Sequence, residues 1–155
     1  MSDLEDLYRE IILDHYRSPR NSGELEPPAH RAEGFNPLCG DEIVVYLLLG
    51  DDNTISDIKI GGQGCSISQS SASMMSSAVK GKTVEQAREL MASFKGLMSI
   101  AGKGEELAEP SPSEIRELGD LAALRGVVKF PTRIKCATLG WNTLEQAISE
   151  VSTAE

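Results

Sequence analysis

Between residues 3 and 17 the apolar positions Leu4, Leu7, Tyr8, Ile11 and Ile12 recur at three- and four-residue spacing, which predicts an amphipathic helix. Ser2 and Glu5 form a capping box at its start. Residues 18–37 carry no such period. Proline and glycine are scattered through them, so they read as an irregular connection ending in a bend at Cys39. From Glu42 to Leu49 the chain turns β-branched and apolar (EIVVYLLL), which predicts a strand. Asp51-Asp-Asn-Thr54 turns it, and the alternation from Ile55 to Ile60 predicts the partner strand of a hairpin that runs into Gly61-Gly-Gln-Gly-Cys65.

Beyond Cys65 the pattern becomes helical, although rich in serine. Ile67, Met74, Met75 and Ala78 share a face, and Lys80-Gly81 is a stop. Thr83 with Gln86 caps a second helix reaching about Ile100. Residues 101–112 (AGKGEELAEPSP) form a flexible acidic interruption, and Ser111-Pro-Ser-Glu114 begins a short helix ending near Gly119. Pro131 opens the final helix, whose buried stripe is Ala137, Trp141, Leu144, Ile148 and Val151. No internal repeat is present. Strands first and helices later predict an α+β domain, a small antiparallel sheet with helices packed on one face. At 155 residues the chain is read as one domain, 1–155.

Charge and cysteine usage narrow the function classes. A formal net charge of −9 repels phosphate backbones and argues against non-specific nucleic-acid binding. No apolar run approaches the roughly 20 residues that span a bilayer, so no membrane partner is expected. The acidic start, Met1-Ser-Asp-Leu-Glu-Asp6, has neither the basic nor the apolar region of an export signal. With an odd number of cysteines, three, this predicts a cytoplasmic protein with reduced or metal-bound thiols rather than a disulfide scaffold.

Each thiol has its own setting. Cys39 lies in the bend Asn36-Pro-Leu-Cys-Gly-Asp41, Cys65 follows a glycine-rich turn and opens a helix, and Cys136 falls in the first turns of the last helix, flanked by Arg133 and Lys135. Any one alone could be a small buried hydrophobe, but none sits inside an apolar run. Loop ends and helix starts on one side of a sheet can converge, and zinc takes four sulfur, nitrogen or oxygen donors. His15 and His30 are candidates for the fourth position, yet neither is beside a cysteine. Asp41 is better placed, because Cys39-x-Asp41 can grip one metal from a single turn. Alone, Asp41 could equally be an Asx-type turn residue. The expected zinc ligands are thus Cys39, Asp41, Cys65 and Cys136, with the carboxylate the hardest and most labile donor. The glycine-rich turn lacks the lysine of a phosphate-binding loop. It is read instead as bringing backbone close to the metal, with helix-start N–H groups favouring the Cys65 thiolate and Arg133 and Lys135 supporting that of Cys136.

Over most of its length the chain resembles the IscU/SufU/NifU-N family of iron–sulfur cluster assembly proteins. The resemblance rests on Asn36-Pro-Leu-Cys-Gly-Asp41, Gly62-Gln-Gly-Cys-Ser-Ile-Ser68 and Arg133-Ile-Lys-Cys-Ala-Thr-Leu-Gly-Trp141. It implies a SufE/IscU-like fold. IscU-type scaffolds carry a histidine before the last cysteine, where this chain has Lys135, and a Leu-Pro-Pro-Val-Lys segment, where it has Phe130-Pro-Thr-Arg-Ile-Lys135. The interval from Cys65 to Cys136 is also longer, with an inserted segment placed roughly within 98–127. These features are similar to the SufU type of the SUF system. That type implies a zinc-dependent sulfurtransferase, a persulfide carrier acting only with a SufS-type cysteine desulfurase and handing sulfur to a downstream iron–sulfur scaffold. Cys39 is the expected sulfur acceptor, exchanged on zinc for a histidine of the desulfurase. The alternative is a scaffold binding iron and a transient iron–sulfur cluster.

Overall fold

The computed structural model describes residues 2–27, 29–37, 40–99, 116, 118, 119, 121, 123, 124, 127 and 131–153. In chain order these form α1 (Ser2–Arg17), β1 (His30–Asn36), β2 (Asp41–Leu49), β3 (Ile55–Gln63), α2 (Ser66–Val79), α3 (Val84–Ser99) and α4 (Pro131–Thr153). The sheet has the order β1-β2-β3, antiparallel throughout. Helices α2 and α4 cover one face of it, as the α+β reading expected. No helix among the described residues is long and apolar enough to cross a membrane.

The sheet's inward face follows from strand alternation. Ile43, Val45 and Leu47 of β2 and Ile58 and Ile60 of β3 are buried, while their neighbours point outward or sit half-covered. The period slips at the far end, where Leu48 pairs with Asp57 but Leu49 with Ile55. The extra residue, Ser56, turns its hydroxyl to the Leu48 carbonyl at 3.1 Å. This bulge lets Ile55 and Ile58 both face inward, so the expected strict alternation of β3 is corrected to a strand with one slip.

A larger correction concerns residues 18–37. They contain β1, an edge strand, where an irregular connection was expected. Its signal is faint because only Ala32 and Asn36 are buried, Phe35 is exposed, and Gly34 lies where α4 passes closest. A Cβ there would run into the Thr143 side chain of α4. Small residues facing a helix leave no hydrophobic alternation to read.

The serine-rich helix α2 has a packing explanation. Ser68, Ser70, Ser71, Ser73 and Ser76 are all fully buried. Ser73 Oγ accepts the Arg20 N–H at 2.8 Å and meets His15 Nδ1 at 2.8 Å, while Ser76 Oγ donates to the Arg20 carbonyl at 3.1 Å and Ser71 Oγ to the Ala137 carbonyl. The serines thus satisfy buried backbone groups of the α1–β1 connection and of α4. That connection also lies along β3, with Ile60 N–H donating to the Asn21 carbonyl.

The expected cap of α3 and the buried stripe of α4 are present. Thr83 and Gln86 form a reciprocal capping box (3.1 and 3.0 Å), and Gly81, at φ +85°, follows the end of α2. Trp141 of α4 is fully buried and stacks on Phe94 of α3 at 5.2 Å between ring centroids, with Ala137, Leu144 and Ile148 alongside. The side chains of the Ser2–Glu5 box and the helix start at 111–114 lie outside what is described, as does most of the proposed insertion at 98–127. Within that interval Leu118, Leu121, Leu124 and Val127 belong to the core.

Candidate metal centre

β1 and β2 are joined by a turn in which Gly40 N–H donates to the Asn36 carbonyl at 2.8 Å. Gly40 has φ +70°, a conformation that side-chain-bearing residues rarely adopt. The turn delivers Asp41 to the first position of β2, opposite Asn36 and fully buried. A carboxylate in that position needs donors. One is the backbone N–H of Cys65, 2.9 Å from Asp41 Oδ1.

Cys65 is the N-cap of α2, extended at φ −72° and ψ 167°, and its Sγ accepts the Ser68 N–H at 3.4 Å. Helix-start amides therefore do face this sulfur, as the sequence suggested. Ser68 Oγ donates to the Cys65 carbonyl at 3.1 Å and lies 3.7 Å from Cys65 Sγ. Gly64 leaves room for the Asp41 carboxylate itself, because a Cβ there would come to 3.0 Å from Asp41 Cγ and 2.8 Å from Ser68 Oγ.

Cys136 reaches the same place from α4. It is fully buried, and Asn36 Nδ2 donates to its Sγ at 3.9 Å. One ligand atom from each of Asp41, Cys65 and Cys136 lies within 4.8 Å of the others. Arg133, one helical turn earlier and exposed, has its guanidinium held above its ordinary value, first by attraction to Cys65 and then by its hydrogen bond and attraction to Cys136. Lys135 lines an adjoining open cleft of about 430 Å³ with Phe35, Asn36, Pro37, Thr138, Leu139 and Asn142.

The structure thus brings together three of the four expected ligands and Arg133. Cys39 lies outside the described residues. Neither histidine joins the group: His15 is buried against Ser73, and His30 pairs with Glu150 at 2.6 Å. Asn36, Gly64 and Ser68 were given no individual role in the sequence reading, although all lie within or beside the motifs; their signal was adjacency to a ligand.

Two thiols and a carboxylate suit zinc. A tetrahedral site with bonds of about 2.3 Å to sulfur and 2.1 Å to oxygen sets those donors roughly 3.6 Å apart. Cys65 Sγ and Asp41 Oδ2 are separated by 3.7 Å. The donor set fits.

Residues 7–137 match the NifU-like N terminal domain. The chain belongs to that family. It is 43% identical over 149 residues to the zinc-dependent sulfurtransferase SufU of Bacillus subtilis (strain 168), covering 96% of this chain and 94% of that one. It is 39% identical over 155 residues to the iron-sulfur cluster assembly scaffold protein IscU of Streptococcus pyogenes serotype M1, covering 100% of this chain and 91% of that one. Among solved structures it resembles FiSufU of Fervidobacterium islandicum AW-1, described as an iron-sulfur cluster assembly scaffold protein for the SUF system. The TM-score is 0.76 at 34% identity, over 90% of this chain and 94% of the other. The expected SufE/IscU-like fold accords with this neighbour.

Proposed function

We propose that the protein is a zinc-dependent sulfurtransferase of iron–sulfur cluster assembly that accepts persulfide sulfur from a SufS-type cysteine desulfurase. The observation that carries the reading is the convergence of Asp41, Cys65 and Cys136 beside the Asn36–Gly40 turn, in a chain 43% identical to a zinc-dependent sulfurtransferase. In this reading Cys39, Asp41, Cys65 and Cys136 hold one zinc per chain, and the bound cation keeps the thiols deprotonated. The setting is the cytoplasm, where thiols stay reduced.

Cys39 is the sulfur acceptor. Cys65 is fixed by the start of α2 and by its N–H bond to Asp41, and Cys136 is buried in α4, so releasing either would disturb packed elements. In the sequence Cys39 stands instead between Asn36 and Gly40, and the glycine beside it can absorb a change of backbone. The Cys39 thiolate attacks the outer sulfur of the enzyme's cysteine persulfide. One S–S bond forms as the enzyme's S–S bond breaks, and the enzyme cysteine leaves as a thiolate. The sulfane sulfur, now on Cys39, passes to a downstream scaffold. Arg133 supplies fixed positive charge beside the anionic sulfurs.

Desulfurase turnover with and without the protein tests the activity: stimulation is expected, and its absence overturns the proposal. Mass spectrometry under non-reducing conditions then locates the added sulfur, expected on Cys39; label on Cys65 or Cys136 would overturn that assignment. A histidine nitrogen in the zinc shell of the isolated protein, seen by X-ray absorption, would refute the ligand set. A second reading, a scaffold for an iron–sulfur cluster, is favoured by the 39% identity to the Streptococcus pyogenes IscU over the whole chain. Visible absorbance after reconstitution with iron and sulfide would support it.

A further inference from the structure

Asn36 is a side chain with no part in the ligand set and an expensive place to sit. It ends an edge strand, is only 7% exposed, and brings a polar amide where a β-branched residue would gain more from burial. Its two ends are used in different ways. The backbone carbonyl accepts the Gly40 N–H at 2.8 Å and closes the turn whose sequence includes Cys39. The side-chain amide donates to Cys136 Sγ at 3.9 Å, linking positions 100 residues apart. In the ladder between, Asn36 is the partner of Asp41. Any residue but proline could pair in β1 through its backbone, so the ladder alone does not call for an amide here. The bond to sulfur does.

We propose that Asn36 is the positioning residue for Cys136, its amide N–H pinning that sulfur in the site so that the accepting role falls to another cysteine. This rests on the sulfurtransferase reading for its meaning, though not for its test. A hydrogen bond to an anionic sulfur is charge-assisted. It lowers the energy of the sulfur lone pairs and so weakens Cys136 as a nucleophile. Donors in the shell around a metal's ligands orient them in this way. Cys65 has its own donor in the Ser68 N–H, so a change at Asn36 should single out Cys136.

The experiment follows iodoacetamide alkylation of the zinc-loaded full chain, in which the bound cation holds the sulfurs as thiolates, with peptides resolved by mass spectrometry over time. Asn36→Leu keeps the size of the side chain and removes the donor. Cys136 should then react about tenfold faster, the scale set by losing a hydrogen bond to a charged group, while the Cys65 rate stays. Asn36→Ala should act in the same direction and serves if Asn36→Leu does not fold by circular dichroism. Cobalt(II) gives a readout that a merely structural role would not move. Its sulfur-to-metal charge-transfer band should shift to lower energy in the variant, because the sulfur lone pairs rise when the donor is lost. A wild-type Cys136 rate, an unmoved band, or equal acceleration at Cys65 would each overturn the proposal. None of these readouts uses a desulfurase, so a wild-type protein that fails to stimulate one would sink the sulfurtransferase reading and leave this result standing.

Discussion

Gly64→Ala is a small change with a large expected effect. The added Cβ would lie 2.8 Å from Ser68 Oγ and 3.0 Å from Asp41 Cγ, and closer still to Asp41 Oδ1. Neither neighbour can retreat cheaply. Ser68 Oγ is tied to the Cys65 carbonyl at 3.1 Å and Asp41 Oδ1 to the Cys65 N–H at 2.9 Å, and both residues are fully buried. Giving up a hydrogen bond to a charged group costs about 1.5–3 kcal/mol, and overpacking a filled interior about 1–3 kcal/mol. A total near 3 kcal/mol corresponds to a fall in Tm of roughly 6–12 °C for a domain of this size. Moving Asp41 off its position should also cost about 10–100-fold in zinc affinity. Thermal unfolding and competition with a chromogenic zinc chelator measure the two effects. Gly96→Ala is the control: nothing lies within 4 Å of its Cβ, it sits inside α3, and the change should stabilise by about 0.5–1 kcal/mol. A Gly64→Ala protein with wild-type Tm and zinc affinity would refute the reasoning. A lowered Tm with unchanged zinc affinity would show that Asp41 keeps its place and the strain goes elsewhere.

Three further outcomes are expected. Asp41→Cys should retain zinc, since a fourth thiolate suits the metal, while desulfurase stimulation falls because the labile donor is gone; unchanged stimulation would make Asp41 a turn residue only. Thr83→Ala removes one half of the box that starts α3 and should cost about 1 kcal/mol in urea unfolding; no change would show that tertiary packing alone sets that helix start. The Glu150 carboxyl is held below its ordinary 4.5, first by its bond to His30 and then by Gln146. A lowered folded value gives stability present above pH 4.5 and lost as pH falls below it, so Glu150→Gln should lose less stability than wild type on acidification, and equal losses would discount the pair.

The elements legible in the sequence were those whose burial is made by large apolar side chains. The β2–β3 hairpin, α3 with its Thr83–Gln86 cap, and α4 with Trp141 all announce themselves this way. β1 did not, because its inward positions are Ala32, Gly34 and Asn36, chosen for closeness to α4 and Cys136 rather than for hydrophobic area. The slip at Ser56 was equally hidden, since a bulge depends on the partner strand's register. The serines of α2 could be recognised as packing residues, but their partners, the backbone of residue 20 and of Ala137, are remote in sequence. In the site, the candidate ligands were proposed from residue chemistry and spacing, and Asp41, Cys65 and Cys136 do come together. Residues acting on the ligands, Asn36, Gly64 and Ser68, owe their roles to distances that no spacing rule encodes.

The chain supplies its candidate ligands at very different times. Asp41 and Cys65, bridged by a bond between positions 24 apart, belong to the hairpin and the start of α2, which emerge together from the ribosome and can fold as a unit. Cys136 arrives only with α4, which must then dock on the sheet beside α2 before the thiol is seated. The early half carries three of the four proposed donors, and the site stays open on one side until Cys136 closes it. A nascent or partly unfolded chain would therefore exchange metal quickly, and only a chain with α4 docked would retain it. Slow metal release would then report a finished fold, and a cell in which zinc is scarce would spend little of it on incomplete copies.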